Sequence, residues 1–137
     1  MLITNYDTSK IFIWNNRYKR FTLLNDSGAE KDFAPGTIMG RRHATGKVVP
    51  LVSTAADGSE VPIGILKSDV EDLADSGEIE VSICVFGEVA ESKLVFDNGT
   101  DTLETVISNR RLGDRLMGDT AGVIVVPSTE LTSDDNQ

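Results

Sequence analysis

The clearest structural signal in the chain is an alternation of apolar and polar residues near its middle. Apolar residues occupy every second position of Ile79-Glu-Val-Ser-Ile-Cys-Val85. Because side chains two positions apart point to the same face of a strand, this pattern predicts a β-strand over residues 78–89. Its second face also becomes apolar towards the end, at Phe86.

An earlier β-like segment is interrupted at its centre by two asparagines. Ile11-Phe-Ile-Trp14 and Arg17-Tyr-Lys-Arg-Phe-Thr-Leu-Leu24 flank Asn15 and Asn16. Asparagine tolerates positive φ, and two such residues between β-forming segments are typical of a tight hairpin turn. The pattern over residues 11–24 therefore predicts a β-hairpin, and an extended N-terminal arm is the alternative for this segment.

Short apolar segments separated by glycine and proline make up most of the remaining chain. Residues 37–39, 47–52 and 61–66 are β-like and too short for helices, and residues 123–126 form a last strand. Turns at this spacing are typical of sandwiches and barrels. The predicted fold class is mainly β, as one compact barrel-like domain.

Two segments carry helix signals. The capping residue Asp101 and an apolar stripe over the next turns predict one amphipathic helix over residues 102–111. The capping-box sequence Ser68-Asp-Val-Glu71 predicts one or two further helical turns before Gly77.

The pattern divides the chain into an arm, a body and a tail. Residues 1–24 form the arm or hairpin, residues 25–127 the β-rich domain, and residues 128–137 an acidic tail that we expect to be flexible. Neither a secretory signal nor an apolar run of about 20 residues is apparent. Cys84 is the only cysteine, so we expect a buried filler residue and synthesis in a reducing cytoplasm.

Charge is distributed unevenly between the two parts of the chain. Residues 1–50 carry a net charge of +4 and residues 51–137 a net charge of −13. The acidic part disfavours binding to nucleic acid and to anionic membranes. The basic part has cations clustered around Trp14 and Tyr18, which indicates either an edge strand guarded by charge or an arm that docks on an acidic partner: Lys10, Arg17, Lys19 and Arg20.

The sequence offers no convincing catalytic, cofactor or metal site. His43 is the only histidine, which leaves neither a nucleophile–histidine pair nor a zinc ligand set. The acidic residues 69–72 lack the spacing of a calcium loop. Gly40 to Lys47 resembles a phosphate loop, but Val48 stands where a hydroxyl residue is required. We expect a β-turn there, a surface His43, and no enzymatic activity.

Five strings of turn glycines and strand residues follow one another along the chain. They are Ala34-Pro-Gly-Thr-Ile-Met-Gly40, Gly46-Lys-Val-Val-Pro50, Asp57-Gly-Ser-Glu-Val-Pro-Ile-Gly-Ile-Leu66, Ile79-Glu-Val-Ser-Ile-Cys-Val-Phe-Gly-Glu-Val89 and Val123-Ile-Val-Val126. In this order, with the predicted amphipathic helix between the last two strings, the sequence from Phe33 to about Val126 resembles the head decoration proteins of tailed bacteriophages, the lambda type. It departs from that type in the long aromatic and basic segment of residues 10–24.

The resemblance implies a β-tulip or barrel-like fold with a small helical part, assembled as a homotrimer. It implies a virion protein on the outer surface of an expanded capsid, whose N-terminal arms add strands to the major capsid protein and hold the shell against the pressure of packaged DNA. The implied partners are the major capsid protein and further copies of the chain. Nucleic acid, membrane and cofactors are not among them.

The arm has the residue types that such docking needs. Extended segments can pair with a strand edge, and Trp, Tyr and Arg are favoured at binding hot spots. The predicted capsid-docking residues are Ile11, Phe12, Ile13, Trp14, Arg17, Tyr18, Lys19 and Arg20. Three other interpretations stay open: a head fibre or tail component, a trimeric β-fold hydrolase with its site between subunits, and a sugar-binding β-domain.

Overall fold

The computed structural model describes residues 11–107, 109–118 and 121–127. These residues contain a 3-10 helix at Glu91–Lys93, one α-helix, α1 (Leu112–Gly118), and ten strands. The strands are β1 (Phe12–Leu24), β2 (Lys31–Phe33), β3 (Ile38–Arg41), β4 (Val48–Pro50), β5 (Pro62–Leu66), β6 (Val70–Leu73), β7 (Glu78–Ala90), β8 (Val106–Ile107), β9 (Arg110–Arg111) and β10 (Gly122–Val126).

Five strands form a closed barrel in the order β1, β4, β3, β5 and β7, because β7 pairs back with β1. The longest pairing is antiparallel, between β1 and β7, from Phe12 opposite Val89 to Leu24 opposite Glu78. The other edge of β7 pairs first with β5 and then, in parallel, with β10. β2 and β6 form a separate two-stranded sheet, as do β8 and β9. The prediction of a mainly β, barrel-like domain is confirmed.

Two apolar clusters stabilise this fold, one on each side of the barrel wall. Ile65 and Leu66 are neighbours on β5 and belong to different clusters, because successive side chains of a strand point to opposite faces. All five barrel strands contribute to the inner cluster: Leu23, Phe33, Met39, Val48, Leu66, Val70, Val81 and Ile83. The outer cluster lies beneath α1: Ile11, Phe12, Ile38, Leu51, Ile65, Cys84, Val89, Leu112, Leu116 and Val123.

The predicted hairpin over residues 11–24 is wrong. Asn15 does adopt positive φ, at 56°, but the chain does not reverse there. Both halves of the segment pair with β7 as one strand, with register shifts between Phe12 and Trp14 and on either side of Arg17. The reason is β7 itself, which is 13 residues long and offers an edge that a hairpin would leave mostly unpaired. The asparagines form bulges instead of a turn.

Both helix predictions are misplaced. The segment predicted as a helix over residues 102–111 consists of a turn, β8 and β9, and the helix begins only at Leu112. Asp101 caps no helix; its carboxylate accepts hydrogen bonds from Ser53 and Asn98. The predicted helical turns after Ser68 are β6, which pairs with β2. Tertiary pairing overrides a local capping signal in both places.

Several smaller predictions are confirmed. The strand over residues 78–89 is β7, the last strand is β10, Cys84 is buried with a free thiol, and His43 is exposed between β3 and β4. No α-helix among the described ranges is long and apolar enough to cross a membrane. The predictions for Lys10 and the rest of residues 1–10, and for the tail at residues 128–137, lie outside the described residues.

Candidate protein-docking surface

A row of side chains crosses three adjacent strands on the surface of the molecule. Trp14 on β1 lies opposite Glu88 on β7, and Glu88 lies beside Ile124 on β10. Partners in register project from the same face of a sheet. Trp14 is 66% exposed and Ile124 is 47% exposed, so this face presents large apolar side chains to solvent.

A second row lies next to the first and extends the apolar area. Phe86 is the register partner of both Arg17 and Gly122, and it is 40% exposed. The guanidinium carbon of Arg17 lies 5.4 Å from the centre of the Phe86 ring, within the range of a cation–π interaction. A Cβ atom on Gly122 would lie 2.7 Å from a ring carbon of Phe86, so the ring needs a glycine beneath it. We call Trp14, Arg17, Phe86, Glu88 and Ile124 the docking face.

Bulges in β1 hold Trp14 and Arg17 in place. The Asn16 side-chain amide donates a hydrogen bond to the Glu88 carbonyl oxygen at 3.0 Å and contacts the Cys84 sulfur at 3.5 Å. Opposite them, Gly87 has a φ of 110°, and a Cβ atom there would lie 2.7 Å from the Asn15 carbonyl oxygen. Only glycine fits this position without displacing the backbone of β1.

Tyr18 belongs to a different environment from Arg17, although the two are adjacent in sequence. A register shift separates them, and the Tyr18 ring packs edge-on against Phe12, with centroids 5.8 Å apart. The Lys67 ammonium lies 4.5 Å from the centre of the Tyr18 ring. Burial raises the pKa of Tyr18, and the neighbouring Cys84 raises it further. The phenol is therefore neutral at physiological pH and can donate a hydrogen bond to a partner.

The structure divides the predicted docking residues into three groups. Ile11 and Phe12 are buried in the outer cluster, and Ile13 is half-buried. Trp14 and Arg17 lie on the docking face. The last group follows Arg17 along β1 and is exposed: Tyr18, Lys19 and Arg20. Arg20 also forms an ion pair with Glu80 at 2.7 Å.

Sequence reasoning missed Phe86 and Ile124 as members of the docking face. They are 38 residues apart in the chain, and only the side-by-side pairing of β7 and β10 brings them together with Trp14. A signal for Phe86 was present, since the second face of β7 becomes apolar at that point. No comparable signal existed for Ile124, which sits in a uniformly apolar strand.

A concave region on another part of the barrel brings together charged side chains. Arg42 pairs there with Asp26 and with Asp57, the latter at 3.0 Å. Hydrogen bonding by Asp26 raises the pKa of Arg42, and hydrogen bonds donated by Ser59 lower the pKa of Asp57. Arg42 therefore compensates one of the two carboxylates, and the group of three keeps a net charge of −1. Across the residues that the structure describes, no three His, Cys, Asp or Glu side chains group as metal ligands.

Comparison with known proteins assigns the chain to one family. No curated protein matches the sequence. The model of one protein family, described as bacteriophage lambda head decoration protein D, matches residues 15–117. The match begins at Asn15 in β1, one residue after Trp14, and ends within α1, before β10. It covers well over half of the chain, and the protein therefore belongs to the family of the bacteriophage lambda head decoration protein D, a family of structural capsid proteins.

Proposed function

We propose that this protein binds the outer surface of an expanded phage capsid as a homotrimer and stabilises the shell against the pressure of the packaged DNA. The observation that carries the proposal is the exposure of Trp14 on the docking face of a member of the decoration family. Trp14 is 66% exposed and lies near the exposed side chains of Phe86 and Ile124. Together they form an apolar patch that no other part of the described chain covers. Such patches are typical of protein-binding surfaces.

The chemistry of the docking face favours a protein partner. Trp and Arg are among the residue types most enriched at binding hot spots, and the Arg17 guanidinium is held over the Phe86 ring on β7. Fixed side chains lose little conformational entropy on binding. Burial of Trp14 and Ile124 against a capsid subunit would supply the hydrophobic contribution, and Arg17 would select an acidic or aromatic contact.

β1 also offers a backbone edge to such a partner. One edge of β1 pairs with β7 along its length, whereas the other pairs with β4 only at Leu23. Between Phe12 and Thr22 that second edge has no partner strand in the described part of the chain. We propose that β1 stays in its barrel and that an acidic segment of the capsid protein is added beside it, where Arg17 and Lys19 provide positive charge.

Trimerisation would strengthen attachment at three-fold positions of the shell. Three copies that engage three sites at once gain avidity, so each docking face needs only modest affinity. The acidic remainder of the chain would then face solvent. Sedimentation of the purified protein tests this part directly, since three times the mass of one chain is expected.

The central experiment mixes the purified protein with DNA-free shells, expanded and unexpanded, and measures how much protein sediments with each. We expect saturable coating of expanded shells only. Trp14→Ala should weaken coating by roughly tenfold or more, as for a hot-spot residue. Val106→Ala is the matched control, because Val106 is 58% exposed but lies outside the docking face.

Equal loss of coating by both variants, or no loss by Trp14→Ala, would contradict the role of the docking face. Equal binding to both kinds of shell would contradict the dependence on expansion. Each variant is first compared with the unchanged protein by circular dichroism, so that a folding defect is not counted as a binding defect.

A further inference from the structure

The last strand of the sheet has one free edge. β10 pairs with β7 in parallel, in regular register from Gly122 to Val126, and no strand within the described ranges pairs with its other edge. Its sequence, Gly-Val-Ile-Val-Val, has neither charge nor proline. Edge strands of monomeric proteins are usually guarded by a lysine, a proline or a bulge, and β10 has none of these within its span.

An apolar groove adjoins this edge. It lies between α1 and the segment that follows β7, and the side chain of Val125 is part of its wall. The other apolar side chains that line it are Leu94, Phe96, Leu103 and Met117. A strand added beside β10 would point alternate side chains towards this groove, because Val125 already points there.

The rim of the groove is negatively charged. Glu91 and Asp114 line it and are exposed, and neither forms an ion pair with another described residue. Glu104 also lines the groove, where Arg111 neutralises it at 3.0 Å. Two uncompensated carboxylates beside an apolar floor favour a partner with apolar side chains and positive charge.

From these features we infer that the free edge of β10 and its groove form a second docking site, which binds an extended segment of another protein whose groove-facing residues, every second one, are in turn apolar and cationic. Backbone hydrogen bonds to β10 would supply affinity, apolar side chains would fill the groove, and lysine or arginine would contact Glu91 and Asp114. The groove lies on the opposite face of β10 from Ile124. Its test uses peptides and no capsid, so its outcome does not depend on capsid binding.

The test uses synthetic nine-residue peptides and the full-length protein. One peptide has valine and lysine in turn at every second position, with threonine at the positions between. A second has glutamate in place of lysine, and a third is the first peptide with an N-methyl group on every backbone amide nitrogen. Binding is followed by fluorescence anisotropy. We expect the first peptide to bind roughly tenfold more tightly than the second, since two exposed ion pairs are involved. The third should not bind, because N-methylation removes the donors that strand addition requires.

The double substitution Glu91→Lys with Asp114→Lys should reverse the preference between the first two peptides. Asp69→Lys is the matched control: it also replaces an exposed acid but lies outside the groove, and it should leave the preference unchanged. Amide hydrogen exchange should slow within β10 when the first peptide is bound. Binding that survives N-methylation, an unreversed preference in the double variant, or no binding of any peptide would overturn the proposal.

Discussion

The two halves of β7 belong to two different kinds of structure. From Val81 to Ile83 the strand is part of the barrel wall, and its inward side chains are fully covered by the other barrel strands. From Phe86 to Ala90 it lies between β1 and β10, where α1 covers one face and the other face is open. Gly87 lies just beyond the change from one to the other. The same alternation of side chains thus produces a sealed core in one half and a docking face in the other.

The two halves of β7 differ because the sheet is closed into a barrel in one half and open in the other. In the barrel each strand has two neighbours, so the interior is sealed by the chain itself. Beyond Gly87 the described sheet ends at β10, and one face and one edge have no partner strand or helix among the described residues. Stability should therefore depend mainly on the barrel half, and the burial of apolar surface on binding mainly on the other half.

Leu66→Ala should have the largest effect on stability, because Leu66 is fully buried in the inner cluster. We expect a loss of about 2–5 kcal/mol in the free energy of unfolding, from lost transfer energy and the cavity left behind. Urea denaturation followed by circular dichroism measures it. The matched variant Ile124→Ala, on the docking face, should change the value by less than about 0.5 kcal/mol. Similar losses in both variants would contradict the expectation that stability depends mainly on the barrel half.

Gly87→Ala tests the transition between the two halves. Positive φ and the close approach of the Asn15 carbonyl oxygen act together there, so we expect a loss of about 3 kcal/mol in the free energy of unfolding. Gly99 also has positive φ, but a Cβ atom added there would have no other atom within 4 Å. Gly99→Ala therefore isolates the conformational cost, at about 1 kcal/mol. If the two losses were equal, the contact with β1 would contribute nothing.

Asp101 should make part of the stability depend on pH. Burial raises the pKa of Asp101, but the hydrogen bonds donated by Ser53 and Asn98 outweigh burial and lower the pKa overall. A lowered folded-state pKa means that this stabilisation is present above the unfolded pKa of about 4 and is lost as the pH falls through the folded value.

We therefore expect Asp101→Asn to cost about 1–3 kcal/mol at pH 7 and much less at the acidic end of the folded range. Urea denaturation at pH 7 and at about pH 3 measures the difference. A cost that is the same at both pH values would assign the effect to packing rather than to the carboxylate.

The ion pair between Arg20 and Glu80 should have the smallest effect. It lies on the exposed surface of the barrel half, so Arg20→Gln should change the free energy of unfolding by less than about 1 kcal/mol. The change should shrink further in about 1 M salt, where charges on the surface are screened. A larger, salt-independent loss would mean that Arg20 contributes to packing of the barrel wall.

Much of the fold could be predicted from local pattern. The alternation at Ile79 to Val85 predicted β7, and the spacing of turn residues predicted a barrel-like domain, because these signals depend only on which face of a strand is buried. Asn15 and Asn16 were identified as special positions, but as a turn rather than as bulges. Whether positive φ reverses a strand or only bends it depends on the partner strand, which the local sequence does not contain.

The docking surface could be predicted only in part. Trp14 and Arg17 stand out by residue type, and both lie on the docking face. Ile11 and Phe12 could not be separated from them, because being apolar does not tell which side of the wall a residue faces. The placement of the helix failed for a related reason: Asp101 has the chemistry of a cap, but its carboxylate accepts a hydrogen bond from Ser53, which is distant in the chain.

Residue types and their spacing were enough to predict a β-rich domain, a buried unpaired Cys84, an exposed His43, and an aromatic and cationic segment before an acidic body. Three features emerge only from the pairing of the strands: β1 is part of the barrel wall, Phe86 and Ile124 lie beside Trp14, and β10 keeps a free edge among the described strands. The physical reason is that strand pairing is non-local. The local sequence of a strand determines which of its side chains point to the same face. The strands beside it come from distant parts of the chain, and they determine whether that face is covered.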